Sequence, residues 1–220
     1  MKTKCTLLLL TVGFTAAAWG QGSFRNLDFE SARVVTNDPT FGVLDWNLAA
    51  PGWNHSNGSD LGIVYYRQEH FGFTGYYMLY DSLSPVYAPG TQLAGRYSLG
   101  FSNGHATGNP ESPWQENYLG QSGEIASDVR SFRLLAHGSF EVLVGGVSIP
   151  MQSLGGNLYG GDISAFAGQT TEFRILNTSR TLHTPVVVDN IAFSPMPVPE
   201  PSVVVIFGFG VLAWLTVARR

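Results

Sequence analysis

The chain predicts an all-β domain, a β-sandwich, on three observations. Charged residues make up only 13% of its 220 residues, while glycine alone contributes 26. No long stretch carries a 3.6-residue apolar period, and short β-prone runs alternate with Gly-, Asn- and Pro-bearing turns. There are about nine such runs, enough for two packed sheets.

Taken in order, Phe24 to Ser31 predicts the first strand. Asn37-Asp38-Pro39 and Ala50-Pro51-Gly52 are turn signals. Gly62 to Gln68 and Tyr76 to Tyr80 are aromatic, β-prone runs. Arg96 to Ser102 alternates Tyr97, Leu99 and Phe101 with Ser98 and Gly100, the pattern of a half-buried strand. Val129 to Ala136 ends at His137-Gly138, and Ser139 to Val144 leads through Gly145-Gly146 into Val147 to Met151. Phe140, Val142 and Val144 share one face, and the paired glycines supply the positive φ that a two-residue hairpin turn demands. Thr171 to Leu176 alternates Phe173 and Ile175 with Glu172 and Arg174. Val186 to Ser194 predicts the last strand, just ahead of a Pro-rich linker from Pro195 to Pro201.

The two ends are of another kind. Lys2 and Lys4, the apolar run Cys5 to Ala18 and the small-x-small site Ala18-Trp19-Gly20 predict a secretory signal peptide over residues 1–20. At the far end, Val203 to Ala218 is uncharged and closes on Arg219 and Arg220. This run predicts a single transmembrane helix, a little short of a ~30 Å hydrocarbon core unless the arginines snorkel to the headgroups. Those arginines also hold the C-terminus in the cytoplasm and leave everything before Pro199 outside. Pro199-Glu200-Pro201, the apolar helix and Arg219-Arg220 resemble, in order and spacing, the PEP-CTERM sorting signal of Gram-negative bacteria. The resemblance implies recognition and processing at Pro199, Glu200 and Pro201 by a membrane-embedded exosortase. It also implies transient anchoring in the inner membrane, then delivery to the cell envelope or extracellular matrix. A tail anchor that is never cut has the same physical make-up. The division is therefore 1–20 signal peptide, 21–195 β-sandwich, 196–220 sorting segment.

The middle region contains no cysteine and no lysine, and its eight arginines face fifteen acids, for a net charge near −7. Disulfides and thiolate metal sites are excluded. An acidic domain without a basic patch also argues against nucleic acid as a partner.

Asn26-Leu27-Asp28-Phe29-Glu30, Pro51-Gly52-Trp53 and Val188-Asp189-Asn190-Ile191-Ala192-Phe193 are similar to segments of jelly-roll carbohydrate-binding modules. Leu27 stands where those domains carry glycine and Asn190 where they carry a second aspartate. The resemblance implies a jelly-roll-like sandwich with its terminal strands side by side. It further implies a structural calcium (Ca2+) site at Glu30 and Asp189, although two carboxylates fall short of the 6–8 oxygens calcium takes.

Gly100-Phe101-Ser102-Asn103-Gly104 fits the Gly-x-Ser-x-Gly pattern, but the residues after it cannot start the helix a nucleophile elbow needs, so a serine esterase at Ser102 ranks last. The five histidines lie at no metal-ligand spacing. Glu111, Glu116 and Glu124 read as loop acids rather than a glycosidase pair. Asn54-His55-Ser56, Asn57-Gly58-Ser59 and Asn177-Thr178-Ser179 match the glycosylation pattern and mark polar loops. Aromatics are the functional signal. Alternation sends Tyr65 and Tyr66, and likewise Tyr76 and Tyr77, to opposite faces, so one of each pair faces solvent or a groove. With Trp53 they form the candidate set for stacking on sugars. The leading expectation is an exported, non-enzymatic structural or adhesive protein; the alternative is a glycan- or exopolysaccharide-binding module.

Overall fold

A computed structural model describes residues 22–35, 42–56, 63–66, 72–83 and 92–198. Fifteen strands occur among them: β1 (Gly42–Asp45), β2 (Asn54–His55), β3 (Ile63–Tyr66), β4 (Tyr76–Asp81), β5 (Tyr97–Ser102), β6 (Gly104–His105), β7 (Trp114–Gln115), β8 (Tyr118–Glu124), β9 (Ser131–His137), β10 (Phe140–Val144), β11 (Val147–Ile149), β12 (Gln152–Gly155), β13 (Leu158–Asp162), β14 (Thr170–Asn177) and β15 (Val186–Ser194). One helical turn, Trp46–Ala49, follows β1 and is capped by the Asp45 carboxylate.

The strands form an eight-stranded sheet in the order β1-β3-β4-β5-β15-β9-β13-β12 and a five-stranded sheet β11-β10-β14-β8-β2, with β6 and β7 pairing apart. All pairings are antiparallel except β3 with β4. The sheets pack face to face through their alternating apolar residues. Phe132 and Leu134 of the larger sheet meet Phe173 and Ile175 of the smaller in one core, with the Phe132 and Phe173 rings edge-on at 5.0 Å. The expected hairpin is present: Gly145 and Gly146 turn β10 into β11 with φ of 58° and 80°, a conformation that side-chain-bearing residues resist.

Two expectations need correction. Phe24 to Ser31 is not a strand. Asn26 and Phe29 take positive φ (50° and 56°) and break the extended run. Side chains replace a ladder there: Gln121 accepts from Arg25 N at 2.6 Å and donates to Arg25 O at 3.0 Å, and Asn26 Oδ1 accepts from Ser31 N. Phe24, Leu27 and Phe29 still enter the core, and Ile191 N donates to Leu27 O, so the opening segment does lie against β15. Second, β5 is buried on both faces rather than half-buried. The turn signal Asn37-Asp38-Pro39, the signal peptide and the C-terminal apolar run lie outside the described residues. Among the described residues no helix is long and apolar enough to cross a membrane.

Candidate functional site

The eight-stranded sheet carries aromatics on both faces, and the two-residue period sorts the four tyrosines of the expected glycan-stacking set between them, while Trp53 lies in the loop before β2. Trp53, Tyr66 and Tyr77 turn inward. Trp53 stacks on Phe29 at 5.5 Å and its Nε1 donates to Asn26 O. Tyr77 stacks on Phe101 at 6.0 Å and its hydroxyl donates to Tyr118 O. Tyr66 belongs to the same core and its hydroxyl donates to Asp81 Oδ2 at 2.6 Å. Rings held in this way cannot offer a face to a ligand, which removes these three from the candidate set.

Tyr65 and Tyr76 point the other way. They belong to a second cluster, outside the sandwich core, made of Tyr76, Met78, Tyr80 and Val187 with Tyr65 and Leu93 packed against it. The rings of Tyr65 and Tyr76 meet edge-on at 6.4 Å, and Tyr76 lies 6.3 Å from His183. Tyr76 and Tyr80 are almost fully covered, whereas Tyr65 is partly exposed. Tyr80 points its ring edge at Gly100, where an added Cβ would come 2.5 Å from its Cε2. The central glycine before Ser102 is thus a bare spot that admits a ring. Ser102 itself is fully buried, donates to Asn103 O at 3.3 Å and is followed by β6 rather than a helix, so the motif is not a nucleophile elbow.

Glu30 and Asp189 both accept hydrogen bonds from one stretch of chain, residues 94–98. Glu30 Oε1 accepts from Arg96 N at 2.6 Å and Tyr97 N at 3.0 Å. Asp189 Oδ2 accepts from Ser98 Oγ at 2.7 Å and Ala94 N at 3.0 Å, and Oδ1 from Asn190 N. A bulge in β15 between Asp189 and Ala192, with Asn190 at φ 46°, aims the carboxylate there. Burial pushes the Asp189 carboxyl up to about 6, helped by the negative charge of Glu30 and opposed by the three donors. A calcium ion would compete with these donors for the same lone pairs, so the arrangement serves to clip a turn and lends the calcium expectation no support. Among the described residues no group of three His, Cys, Asp or Glu could hold a metal ion.

Sequence reasoning missed a buried polar latch at one end of the sandwich. Asn177 donates to Phe101 O and Thr184 O, Asn103 donates to Asn177 O and Ser179 O, and Asn117 donates to Ser102 O while its own N–H meets Asn103 Oδ1. These bonds join β5 of the large sheet to β14 of the small one. The three asparagines are 0–1% exposed, so Asn177 marks no polar loop. The signal available was asparagine beside strand-like runs, which is too common to single out. Glu111, Glu116 and Glu124 are exposed and dispersed, with Glu116 3.6 Å from Arg180. Pro199, Glu200, Pro201, Arg219 and Arg220 lie outside the described residues.

No protein-family model matches the chain, and no curated protein matches it either. Among solved structures it is similar to CBM27-1 of Caldicellulosiruptor saccharolyticus in complex with mannohexaose, at 15% identity and TM-score 0.37, over 73% of this chain and 100% of that one. It is also similar to the α-L-rhamnosidase from Dictyoglumus thermophilum, at 11% identity and TM-score 0.24, over 79% of this chain but only 29% of that one. Likeness this loose carries no inference about ligand or activity.

Proposed function

We propose that this chain is an exported, non-enzymatic β-sandwich protein of the cell envelope or matrix that contacts glycan through the outward face of its eight-stranded sheet. The carrying observation is Tyr65, a partly exposed ring on that face, packed against the covered cluster of Tyr76, Met78, Tyr80 and Val187 outside the core. A sandwich sheet facing water is ordinarily polar on its outer side. A tyrosine instead offers an apolar body to a sugar face and a hydroxyl to its edge. Delivery by the C-terminal sorting signal, with an exosortase and the inner membrane as partners, rests on the sequence of residues 199–220.

A second reading, a passive structural protein, is favoured by the near-complete burial of Tyr76 and Tyr80, which makes the cluster serve as packing. Affinity gel electrophoresis against a polysaccharide panel separates the two. The glycan reading expects retardation in at least one gel, and about fivefold weaker binding for Tyr65→Ala, since the loss of one stacked ring is on the order of 1 kcal/mol. Tyr65 is partly exposed, so this variant keeps the fold. No retardation by any polysaccharide leaves the structural reading standing.

A further inference from the structure

Arg96, Arg174 and Arg180 each face a carboxylate; Arg133 does not. It stands on β9 between Gly160 of β13 and Ala192 of β15, its register partners, both too small to cover its side chain. Its neighbours Phe132 and Leu134 enter the core, so Arg133 turns to the outer face of the eight-stranded sheet, the face that also carries Tyr65. It is half-buried there, and its Nε is buried with no hydrogen-bond acceptor among the described residues.

Arg133 also lines a cavity of about 140 Å³, together with Ala192, Phe193, Ser194 and Met196. Ser194 is 6% exposed; its Oγ accepts from Met196 N at 3.0 Å, while its own hydrogen has no acceptor among the described residues. Ser131 Oγ donates to Met196 O at 2.6 Å and pins that wall. The cavity thus has a guanidinium and a hydroxyl with hydrogens to give, and no carboxylate in its lining. A buried donor without an acceptor costs stability, so packing alone does not account for an arginine at this position. A guanidinium is a planar fork of donors, matched by a planar carboxylate, and one cation balances one negative charge. The volume corresponds to roughly four or five waters at ~30 Å³ each, enough for a carboxylate and part of the ring that bears it. Met196 supplies an apolar wall for that ring. The net negative charge of the domain does not forbid this, since exposed charges more than about 8 Å away are largely screened at physiological salt. We infer that the cavity takes the carboxylate of an acidic sugar, held by the Arg133 fork with Ser194 Oγ donating to it, so that the glycan is a polyuronate. This rests on the glycan reading of the same face.

Two measurements on the full chain test it. In the first, the Arg133 Nε–H resonance is followed by NMR as free galacturonate or galactose is added. A saturable shift with galacturonate and none with galactose is expected; an Nε–H that ignores galacturonate overturns the inference. In the second, affinity gel electrophoresis compares polygalacturonate, dextran sulfate and neutral dextran for wild type, Arg133→Met and Arg133→Lys. Polygalacturonate retards wild type, and Arg133→Met binds it more weakly on the order of tenfold. Arg133→Lys keeps the charge but loses the fork and falls between the two. Arg133→Met gives up no bond within the fold, so it melts no lower than wild type and its lost binding is not lost folding. Equal binding by Arg133→Met, or retardation by dextran sulfate and not by polygalacturonate, overturns the carboxylate assignment. Retardation by neutral dextran alone also overturns it and leaves the glycan reading standing. A galacturonate response at Arg133 with no retardation in any gel supports the cavity and overturns the glycan reading instead.

Discussion

Replacing Asn177 with alanine lowers unfolding stability by about 3–5 kcal/mol, because it strands several buried groups at once. The Asn177 side chain is fully buried; its Nδ2 serves Phe101 O and Thr184 O, and its Oδ1 accepts from Ser179 N at 2.8 Å. In water each of these groups would be hydrated; in the fold Phe101 O is buried and the Thr184 and Ser179 groups are partly buried, and Asn177 bonds all three. A lone buried donor or acceptor costs about 1–3 kcal/mol, and relaxation returns part of the total. The latch also joins the two sheets, so its loss loosens their register at that end. Asn157→Ala, at an exposed turn, is the control and stays within about 0.5 kcal/mol of wild type. Urea denaturation measures both. A loss below about 1 kcal/mol at Asn177 would mean that water enters and satisfies the stranded groups.

Between pH 7 and pH 4.5 the folded domain gains stability from Asp189, opposite to the usual carboxylate. Its carboxyl is raised to about 6 in the fold, chiefly by burial, against 3.8 in the ordinary state. As pH falls through about 6 the native state takes a proton that the unfolded chain does not yet bind. The native state binds more protons throughout this window, so stability rises as pH falls and the gain levels off near the unfolded value. Two pK units correspond to roughly 3 kcal/mol at most. Asp81 and Asp162 are held below their ordinary value, Asp81 by hydrogen bonds from Tyr66, Leu83 and Arg96 that outweigh its burial, and Asp162 by hydrogen bonds at Ser164. They lose their contribution only in stronger acid, outside the window. Asp189→Asn carries no titrating proton and is expected to lack the rise, whatever its absolute stability. Parallel pH profiles for wild type and variant would contradict the assignment.

How far the sequence disclosed this fold depended on whether alternation or side-chain chemistry held each segment. β10, β14 and β15 were legible because Val142 and Val144, Phe173 and Ile175, and Val186 and Val188 alternate into one core. β8 was not. Its buried positions include Gly120, Gln121 and Gly123, and Gln121 is inside because it pairs with the backbone of Arg25. The opening segment misled for the complementary reason: its apolar residues are core residues, but Asn26 and Phe29 take a backbone that no period predicts. Alternation also sorted the tyrosine pairs correctly into two faces. It could not say that the outward cluster is largely covered, since that depends on what packs over a sheet rather than on the strands within it. Gly100 looked like a motif glycine and is instead a bare place on the outer face, taken up by the edge of the Tyr80 ring.

The most direct measurement is the intact mass of the protein recovered from its native host, taken separately from cytosol, membranes and medium. A sandwich carried outward by its two terminal segments is expected in the envelope or medium without residues 1–20 and without the apolar segment that follows Pro199-Glu200-Pro201. A full chain of 220 residues, found in the cytosol with both ends in place, contradicts that.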